Sequence, residues 1–239
     1  MTKNGQSAVL KLSNEQLQVL LTGKFGDGYL CRTAPTNNYF YVTNCIHEEY
    51  IKFKAQLLGD LLSNAGISIY NNKGFTTNLI YRLTSKSSST KTNLFNESLE
   101  DSLNKLDDLG VALWLFDDGS LHKDKLFYNL NTHKYSKEVH MDLFVPFFKN
   151  KYDIIAKPTI ERKQDGRTFW YLRIGKWDGA AILSQLMESY NIYCYNYKLW
   201  NSETIQKWSK LQEELKSVGK VIKDFHPKTL TSMLNKITL

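Results

Sequence analysis

The sequence has little cysteine and no long apolar run. Its three cysteines, Cys31, Cys45 and Cys194, are odd in number and widely spaced, which argues against a disulfide framework or a zinc finger. No apolar stretch approaches the roughly 20 residues that cross a bilayer, and the residues after Met1 lack the apolar core of a signal peptide. We therefore expect a protein of the cytoplasm or of an organelle matrix, with no membrane partner.

Acidic residues are fewer than basic ones. The 239 residues include 31 Lys and Arg against 24 Asp and Glu, a formal net charge of +7, and 42% are hydrophobic. This length and composition fit one large folded domain or two fused units. The positive charge favours a polyanionic partner, although charge alone gives only non-specific attraction.

Two apolar helical runs end in the same pair of residues, aspartate followed by glycine. The first covers residues 19–30 and carries Asp27. The second covers residues 109–121 and carries Asp118 directly after another carboxylate, Asp117. A buried helix that delivers a charge at its end is costly unless the charge has a partner. We therefore expect a cation or another partner at these helix ends.

The pattern that follows each aspartate is repeated. A hairpin turn at Gly74 lies 47 residues after Asp27 (74 minus 27), and one at Asp165 lies 47 residues after Asp118 (165 minus 118). Apolar spacing predicts helices at residues 13–25, 47–64, 93–106, 109–118, 136–151, 177–190 and 202–218, and strands at 39–45, 67–70, 76–84, 125–132, 154–163 and 167–174. The sequence therefore contains two copies of one α-β-α-β-β-α unit.

Three further features carry expectations. Pro146, inside the helix predicted at residues 136–151, is expected to kink or shorten it. Residues 85–92 are predicted to form a flexible polar loop, either a plain linker or a phosphate contact through its two lysines. The amphipathic helix and basic tail beyond residue 200 either dock on the core or bind phosphates.

Small residues predict that the two apolar helices pack closely. They are Thr22, Gly23 and Gly26 in the first run, and Gly110 and Ala112 in the second. Such packing would bring the two helix ends together, and the paired carboxylates would repel each other unless hard divalent cations lay between them. That arrangement suits two-metal hydrolysis of a phosphodiester. The alternative interpretation is that each aspartate only ends its helix in a turn, as Asp-Gly commonly does.

The motif segments Leu20–Leu30 and Leu106–Ser120 resemble the paired signature helices of the LAGLIDADG homing endonucleases. The second segment fits the aliphatic-Ala-x-Trp-φ-φ-Asp-Asp-Gly pattern, with φ apolar, of the monomeric two-repeat branch encoded in group I introns. The resemblance covers about residues 14–200. It implies an α+β fold of two pseudo-symmetric α-β-β-α-β-β-α repeats, which form a DNA-binding saddle of two antiparallel sheets and are followed by a helical C-terminal extension.

This fold implies one more strand per repeat than the apolar pattern predicts. The single strand ahead of each hairpin is therefore expected to be a pair. The implied domains are a flexible N-terminus at residues 1–13, a first repeat at 14–106, a second repeat at 107–200 and a helical, basic C-terminal extension at 201–239.

The resemblance also implies the metal site. Asp27 and Asp118 would bind Mg²⁺, which Mn²⁺ or Ca²⁺ can replace for binding, and the backbone carbonyls of Gly26 and Asp117 would support it. For the Asp117 side chain a supporting or helix-end role is expected. Lys24 is unusual in a helix that should pack tightly, so the first motif is expected to pack differently from the family pattern.

A basic residue near each scissile phosphate is the other feature that the resemblance implies. Lys198 fits this role, since Asn196–Trp200 resembles the family's Tyr-Lys-Leu-Pro segment, with Trp200 in place of the proline. In the first repeat the corresponding segment is missing. Lys91 is nearest in placement there, and Lys86 is second. The two strands would be cut at unequal rates if neither lysine reached the site.

Strand alternation predicts which hairpin side chains face DNA. Trp170, Leu172 and Ile174 should point toward the core, so their neighbours point outward. The predicted DNA contacts are Asn72, Lys73, Thr76, Asn78, Arg82 and Lys86 in the first repeat, and Lys157, Thr159, Glu161, Lys163, Arg167, Tyr171 and Arg173 in the second. Two such sheets would span roughly 20 base pairs of the major groove. A half-solvated sheet also carries polar outward residues, and that alternative stays open.

The leading hypothesis is a monomeric, site-specific, magnesium-dependent endonuclease that cuts double-stranded DNA at a long asymmetric target. Two alternatives use the same scaffold. One is a maturase that binds intron RNA, and the other is a DNA-binding regulator without catalysis. The presence of both aspartates favours the endonuclease.

Overall fold

The structure is a computed structural model that describes residues 11–32, 38–71, 79–122, 127–175, 177–222, 225 and 227–239. Its contacts divide the chain into two compact units. The first is formed by Met1–Asp118 with Ile192–Cys194, and the second by Gly119–Asn191 with Tyr195–Leu239. None of the described helices is long and apolar enough to cross a membrane.

The first unit is one antiparallel sheet packed against helices. Its elements are α1 (Asn14–Phe25), β1 (Tyr29–Arg32), β2 (Tyr39–Cys45), α2 (Glu48–Leu58), a 3₁₀ turn (Gly59–Leu61), β3 (Leu62–Asn71), β4 (Leu79–Ser85), α3 (Ser89–Asn96), α4 (Leu99–Asn104) and α5 (Asp108–Asp118). The strand order is β1-β2-β4-β3. Ser13 and Gln16 form a capping box that starts α1 where the sequence predicts it. Helices α1 and α2 contact the sheet, and α5 packs on α1.

The second unit repeats this plan. Its elements are β5 (Gly119–Leu121), β6 (Tyr128–Leu130), α6 (Lys137–Val139), a π-helical segment (His140–Phe144), α7 (Val145–Tyr152), β7 (Ala156–Arg162), β8 (Thr168–Ile174), α8 (Asp178–Glu188), a 3₁₀ helix (Tyr193–Lys198), α9 (Ser202–Ser217) and α10 (Pro227–Leu234). The strand order β5-β6-β8-β7 matches that of the first sheet. The predicted α+β fold with two four-stranded antiparallel sheets is therefore confirmed, including the extra strand ahead of each hairpin.

Helix α5 lies in the first compact unit although it opens the second sequence repeat. The ring centroids of Phe25 on α1 and Trp114 on α5 are 5.0 Å apart. Gln18 on α1 accepts the backbone N–H of Asp107 at 3.1 Å and donates to the carbonyl of Lys105 at 3.0 Å. These side-chain bonds satisfy polar groups at the start of α5, where a helix leaves its first N–H groups without internal partners. Packing between the motif helices thus places the unit boundary at Asp118, after α5.

The helix predicted at residues 47–64 is shorter than expected. It ends at Leu58 because Gly59 adopts a φ of 50°, in the left-handed region that stops a helix. The strand β3 then begins at Leu62 and is interrupted by a register shift before Ile67. The apolar residues at 61 and 62 continued the helical spacing in sequence, which is why the pattern extended the helix too far.

The flexible loop predicted at residues 85–92 is wrong. Ser88 caps α3 by accepting the N–H of Lys91 at 3.3 Å, so the helix starts at Ser89. The chain breaks after Asn96, and Ser98 then caps α4 in the same way. The expected single helix at residues 93–106 is therefore two short ones, each with its own serine cap.

The helix predicted at residues 136–151 changes form ahead of Pro146, the residue predicted to kink or shorten it. Residues His140–Phe144 are π-helical, and Pro146 lies in the first turn of the following α7. Proline lacks an N–H and its ring crowds the carbonyl four residues earlier, at Asp142. The wider π turn accommodates that lost hydrogen bond before the regular helix resumes.

Candidate active site and DNA-binding face

The two motif helices end side by side. The backbone N–H of Gly26 closes α1 on the carbonyl of Thr22 at 2.7 Å. A Cβ placed on Gly26 would lie 2.8 Å from both Cβ and Oδ2 of Asp117, so the helix ends approach as closely as a glycine permits. Asp27, which is exposed, and Asp118, which is half-buried, follow directly at this junction. The structure thus joins the two helix ends as the small residues in the sequence predict.

The glycine after Asp27 is required by packing. A Cβ on Gly28 would lie 2.4 Å from Cε2 of the Tyr41 ring and 2.7 Å from Cα of Gly23. Tyr41 is fully buried, and this burial raises the pKa of its hydroxyl. The turn that carries Asp27 therefore packs directly against the Tyr41 ring, and this contact fixes the backbone position of Asp27.

Asp117, the carboxylate that precedes Asp118 in the α5 motif, is engaged by a buried lysine. Lys54 on α2 places its Nζ 2.7 Å from Oδ1 and 2.9 Å from Oδ2 of Asp117. The two side chains are 0% and 1% exposed. The hydroxyl of Tyr50 donates to Oδ1 of Asp117 at 2.7 Å, and the Lys54 ammonium lies 4.6 Å above the Tyr50 ring. Lys54 and Tyr50 thus hold the Asp117 carboxylate inside the unit.

The charge on Lys54 is maintained by this pairing. Burial lowers the pKa of Lys54, but the adjacent Asp117 carboxylate more than offsets it, and Asp27 adds to the effect, so the pKa is raised above its usual value. Neither Lys54 nor the role of Tyr50 is predicted from the sequence patterns above. The available signal was their spacing, since residues 50, 54 and 58 lie on one helical face and a lysine interrupts that apolar stripe.

Lys24 is explained by contacts with α3 and α4. Its Nζ donates to the carbonyls of Leu94 and Glu97 at 3.3 and 2.8 Å and to Oγ of Ser102 at 2.7 Å. A lysine near the C-terminus of a helix complements the helix dipole and its last carbonyls. The side chain therefore ties α1 to the break between α3 and α4.

The two first-repeat lysines lie together, near the end of α2. Lys91 is buried, and its Nζ donates to the carbonyl of Lys86. Lys86 is exposed and donates to the carbonyl of Asp60 at 2.8 Å. Burial, with the charge of Lys86 and despite the opposing Asp60, lowers the pKa of Lys91 to about 8. The structure therefore places Lys91 in a helix, against Lys86 and Asp60.

The depressed pKa of Lys91 predicts a pH-dependent gain in stability for Lys91→Met. The unfolded chain keeps the ordinary value of 10.5, so the charged lysine destabilises the fold fully below about pH 8. This cost declines between about pH 8 and 10.5 and is absent above that range. Urea unfolding of both proteins should show the variant as more stable at pH 7, with the gap closing by pH 10.5. A gap that is constant or widens with pH would contradict this assignment.

Lys198, the second-repeat candidate, ends the 3₁₀ helix of the second unit. Lys198 is buried, with 7% of the residue exposed. Its Nζ lies 4.6 Å above the Tyr195 ring. Trp200 is fully buried and donates its backbone N–H to Oγ of Ser184 at 2.9 Å. It stands at the position where the similar family segment has a proline. A proline has no N–H for this bond. Trp200 therefore makes a hydrogen bond to Ser184 that the proline of the family segment could not make.

In the first sheet, Arg82 is the centre of a polar cluster. Its Nε donates to Oδ1 of Asn44 at 3.1 Å, and its guanidinium lies 4.9 Å above the Tyr70 ring. Asn44 and Ser68 pair with Arg82 across the neighbouring strands and share its face. The predicted contacts Asn72, Lys73, Thr76 and Asn78 lie outside the described residues.

The second sheet carries its predicted polar residues on one face. Leu172 and Ile174 are buried, so the alternate positions of β8 face away from the core. Cross-strand pairing joins Lys157 to Arg173 and Thr159 to Tyr171 on that face. The Arg173 guanidinium lies 4.1 Å above the Phe127 ring and donates to the Tyr171 hydroxyl at 3.2 Å. Cation–π stacking of this kind orients a guanidinium. The contact with Phe127 is not predicted from the sequence pattern.

Charges alternate in sign at the hairpin end of the same sheet. Glu161 pairs with Lys163 at 2.6 Å and with His133 at 3.2 Å, and Asp165 pairs with Arg167 at 2.7 Å. These exposed pairs exchange partners at little cost in free energy, since surface ion pairs contribute about 0–1 kcal/mol. The basic members, Lys163 and Arg167, therefore carry the charge that would attract a polyanion, whereas Glu161 and Asp165 would repel it.

The junction of α1 and α5 offers oxygen donors. Among the residues that the structure describes, no three His, Cys, Asp or Glu side chains cluster as a metal site. The Asp117 carboxylate is engaged by Lys54, and the junction also presents the carboxylates of Asp27 and Asp118 and the backbone carbonyls beside them. This donor set fits Mg²⁺, which proteins usually bind through one or two carboxylates completed by water and substrate phosphates.

Comparisons with known proteins agree with this geometry. The model of the LAGLIDADG DNA endonuclease family matches residues 19–182. The homing endonuclease I-WcaI, solved bound to its DNA recognition sequence, is similar with a TM-score of 0.63 and 16% identity over 84% of this chain and 95% of that chain. The N-terminal LAGLIDADG domain of DUF199/WhiA matches with a TM-score of 0.45 and 12% identity over 76% of this chain and 84% of that one. No curated protein matches the chain.

The family match covers the two motif segments and both sheets, and it extends over more than half of the chain. The likeness to I-WcaI independently supports the same fold. The resemblance inferred from the two motif segments is thereby confirmed, and this chain belongs to the LAGLIDADG DNA endonuclease family.

Proposed function

We propose that this chain is a site-specific endonuclease that hydrolyses both strands of a DNA duplex with divalent metal ions held by Asp27 and Asp118. The observation that carries the proposal is the joined end of α1 and α5, where Gly26 touches Asp117 and both motif aspartates follow. Asp27 and Asp118 occupy equivalent positions in the two repeats. Two equivalent carboxylates at one junction suit a reaction in which two strands are cut.

The metal would be Mg²⁺, with Mn²⁺ or Ca²⁺ able to replace it for binding. Bound there, it would lower the pKa of an attacking water and stabilise the charge on the leaving 3′ oxygen. The carbonyls of Gly26 and Asp117 would support the two carboxylates. The Asp117 side chain would remain paired with Lys54, at 2.7 Å, and its role would be to hold the ends of α1 and α5 in place.

Double-stranded DNA is the proposed partner. I-WcaI, which has the same fold, is bound to its DNA recognition sequence. The net charge of +7 attracts a polyanion, and both sheets present polar faces with arginines stacked on aromatic rings. Such arginines suit the two acceptors of guanine in the major groove. We propose that the sheets of one monomer together cover roughly 20 base pairs.

Lys198 is the proposed basic residue for one strand, and Lys91 is the proposed one for the other. Both are almost fully buried. The low pKa of Lys91, about 8, suits a lysine that exchanges protons near neutral pH. Arrival of the DNA would have to expose it, because its Nζ is bonded to Lys86.

Cleavage of DNA from the coding context tests the proposal. If the gene lies in an intron, a duplex that spans the joined flanking exons is the expected substrate, and a randomised duplex library serves otherwise. We expect the purified chain with Mg²⁺ to cut both strands at one site, and EDTA to stop cutting while binding persists. Binding without cleavage in Mg²⁺ or Mn²⁺ would instead support a non-catalytic regulator.

A further inference from the structure

The backbone around Lys198 is held by a chain of hydrogen bonds. The hydroxyl of Tyr128 on β6 donates to the carbonyl of Lys198 at 2.5 Å. Tyr128 also meets Oγ of Ser184 on α8 at 2.8 Å, and Ser184 accepts the N–H of Trp200 at 2.9 Å. Since the one proton of Tyr128 goes to Lys198, Ser184 must donate to Tyr128. The peptide groups on both sides of Leu199 are therefore fixed by two buried side chains.

Trp200 connects this segment to the C-terminal extension. It belongs to a cluster of three indoles with Trp177, which precedes α8, and Trp208 on α9, all of them 2% exposed or less. Trp177 and Trp208 stack with their ring centroids 4.7 Å apart and their planes 8° apart. Trp200 meets both edge-on, at 6.2 and 5.9 Å. Close aromatic contacts of this kind hold the rings in defined positions.

Helix α9 is fastened at the same point by hydrogen bonds. Trp208 donates its Nε1–H to Oδ1 of Asp178 at 2.9 Å, and Gln212 donates to the same oxygen at 2.7 Å. Asn201 caps the helix by accepting the N–H of Thr204 at 2.9 Å. The cap residue Asn201 thus directly follows Trp200, and the first turns of α9 bring Trp208 back against the Trp200 indole.

We propose that α9 is part of the cleavage machinery, because it sets the position of Lys198 through Trp208 and Trp200. Both tryptophans are positioning residues, and they act on the strand that Lys198 serves. The inference rests on the proposed function. Helix α9 and Lys198 both lie beyond residues 19–182, the span that matches the family model.

Strand-specific nicking tests this role, because general loss of structure would slow both strands and weaken binding. A target duplex labelled on one strand at a time is cut with Mg²⁺ by the wild type, Trp208→Ala, Trp208→Phe and Lys198→Met. We expect Trp208→Ala to slow one strand roughly tenfold to a hundredfold, the cost of misplacing a reacting group by about 1 Å. The other strand and the Kd for DNA in Ca²⁺ should stay within about twofold.

The companion variants sharpen the result. Lys198→Met should slow cleavage of the same strand. The double variant Trp208→Ala with Lys198→Met should cut that strand no more slowly than Lys198→Met alone. Trp208→Phe should cut it at most of the wild-type rate. Asp178→Asn, which weakens the hydrogen bonds from Trp208 and Gln212, replaces Trp208→Ala if that variant is insoluble.

Three outcomes would overturn the inference: wild-type rates in Trp208→Ala, equal loss on both strands, or slowing of the strand that Lys198→Met leaves unchanged. These outcomes leave the endonuclease proposal standing, because the wild type still cuts. A wild-type chain that cuts neither strand in Mg²⁺ or Mn²⁺ would overturn the endonuclease proposal itself.

Discussion

Asp27→Asn and Asp118→Asn should each lose cleavage of the target duplex while still binding it. Asparagine keeps the shape of the side chain but removes the charge that attracts a divalent cation. A bound metal supplies several kcal/mol to a hydrolytic transition state, so we expect each rate to fall by roughly a thousandfold or more. Single-turnover cleavage in Mg²⁺ measures the rate, and gel-shift titration in Ca²⁺ measures the Kd.

The matched control for these variants is Asp142→Asn, which changes an exposed carboxylate of the second unit. Its rate and Kd should remain within about twofold of the wild type, because surface substitutions of this kind have small effects. Full cleavage by both motif variants would show that Asp27 and Asp118 only end their helices, the alternative that the Asp-Gly pattern allowed.

Lys54→Met should destabilise the chain by about 3–5 kcal/mol, the usual cost of removing one partner from a buried ion pair. The Asp117 carboxylate, 1% exposed, would keep its hydrogen bond from the Tyr50 hydroxyl but lose the positive charge that balances it. Urea unfolding of the full chain measures the loss. Adding Asp117→Asn should recover a large part of it, because the uncompensated buried charge is then gone.

Lys52→Met is the control on the same helix. Lys52 pairs with Glu48 at 2.8 Å, but their side chains are 60% and 48% exposed, so its loss should leave the free energy of unfolding close to the wild-type value. Equal effects of Lys52→Met and Lys54→Met would contradict the buried pairing. So would a double variant with Asp117→Asn that is less stable than Lys54→Met alone.

The repeat and the junction of α1 and α5 could be predicted from the sequence because both depend on the spacing of residues that are close together in the chain. The apolar spacing around Asp27 and Asp118, with Gly26 and its neighbours, predicts two close-packed helices with a shared end, and the structure has that contact. The faces of β8 follow from simple alternation, since Leu172 and Ile174 are buried. The turn predicted at Asp165 lies between β7 and β8, whereas the one predicted at Gly74 lies outside the described residues.

Long-range pairing could not be predicted in the same way. Lys54 is 63 residues from Asp117 in the chain, and only tertiary packing reveals that the lysine is buried and its charge matched. Residues 85–92 are polar and rich in serine, which favours a loop by composition. One of those serines, Ser88, is instead a helix cap, and the helix it starts buries Lys91.

The position of bound metal tests the account most directly. Crystals of the chain with its duplex target, grown in Mn²⁺ and measured at the manganese absorption edge, locate the ions by anomalous scattering. We predict manganese on the carboxylates of Asp27 and Asp118, with the Asp117 carboxylate still paired with Lys54. Manganese coordinated by the side chain of Asp117, or bound away from both Asp27 and Asp118, would contradict it.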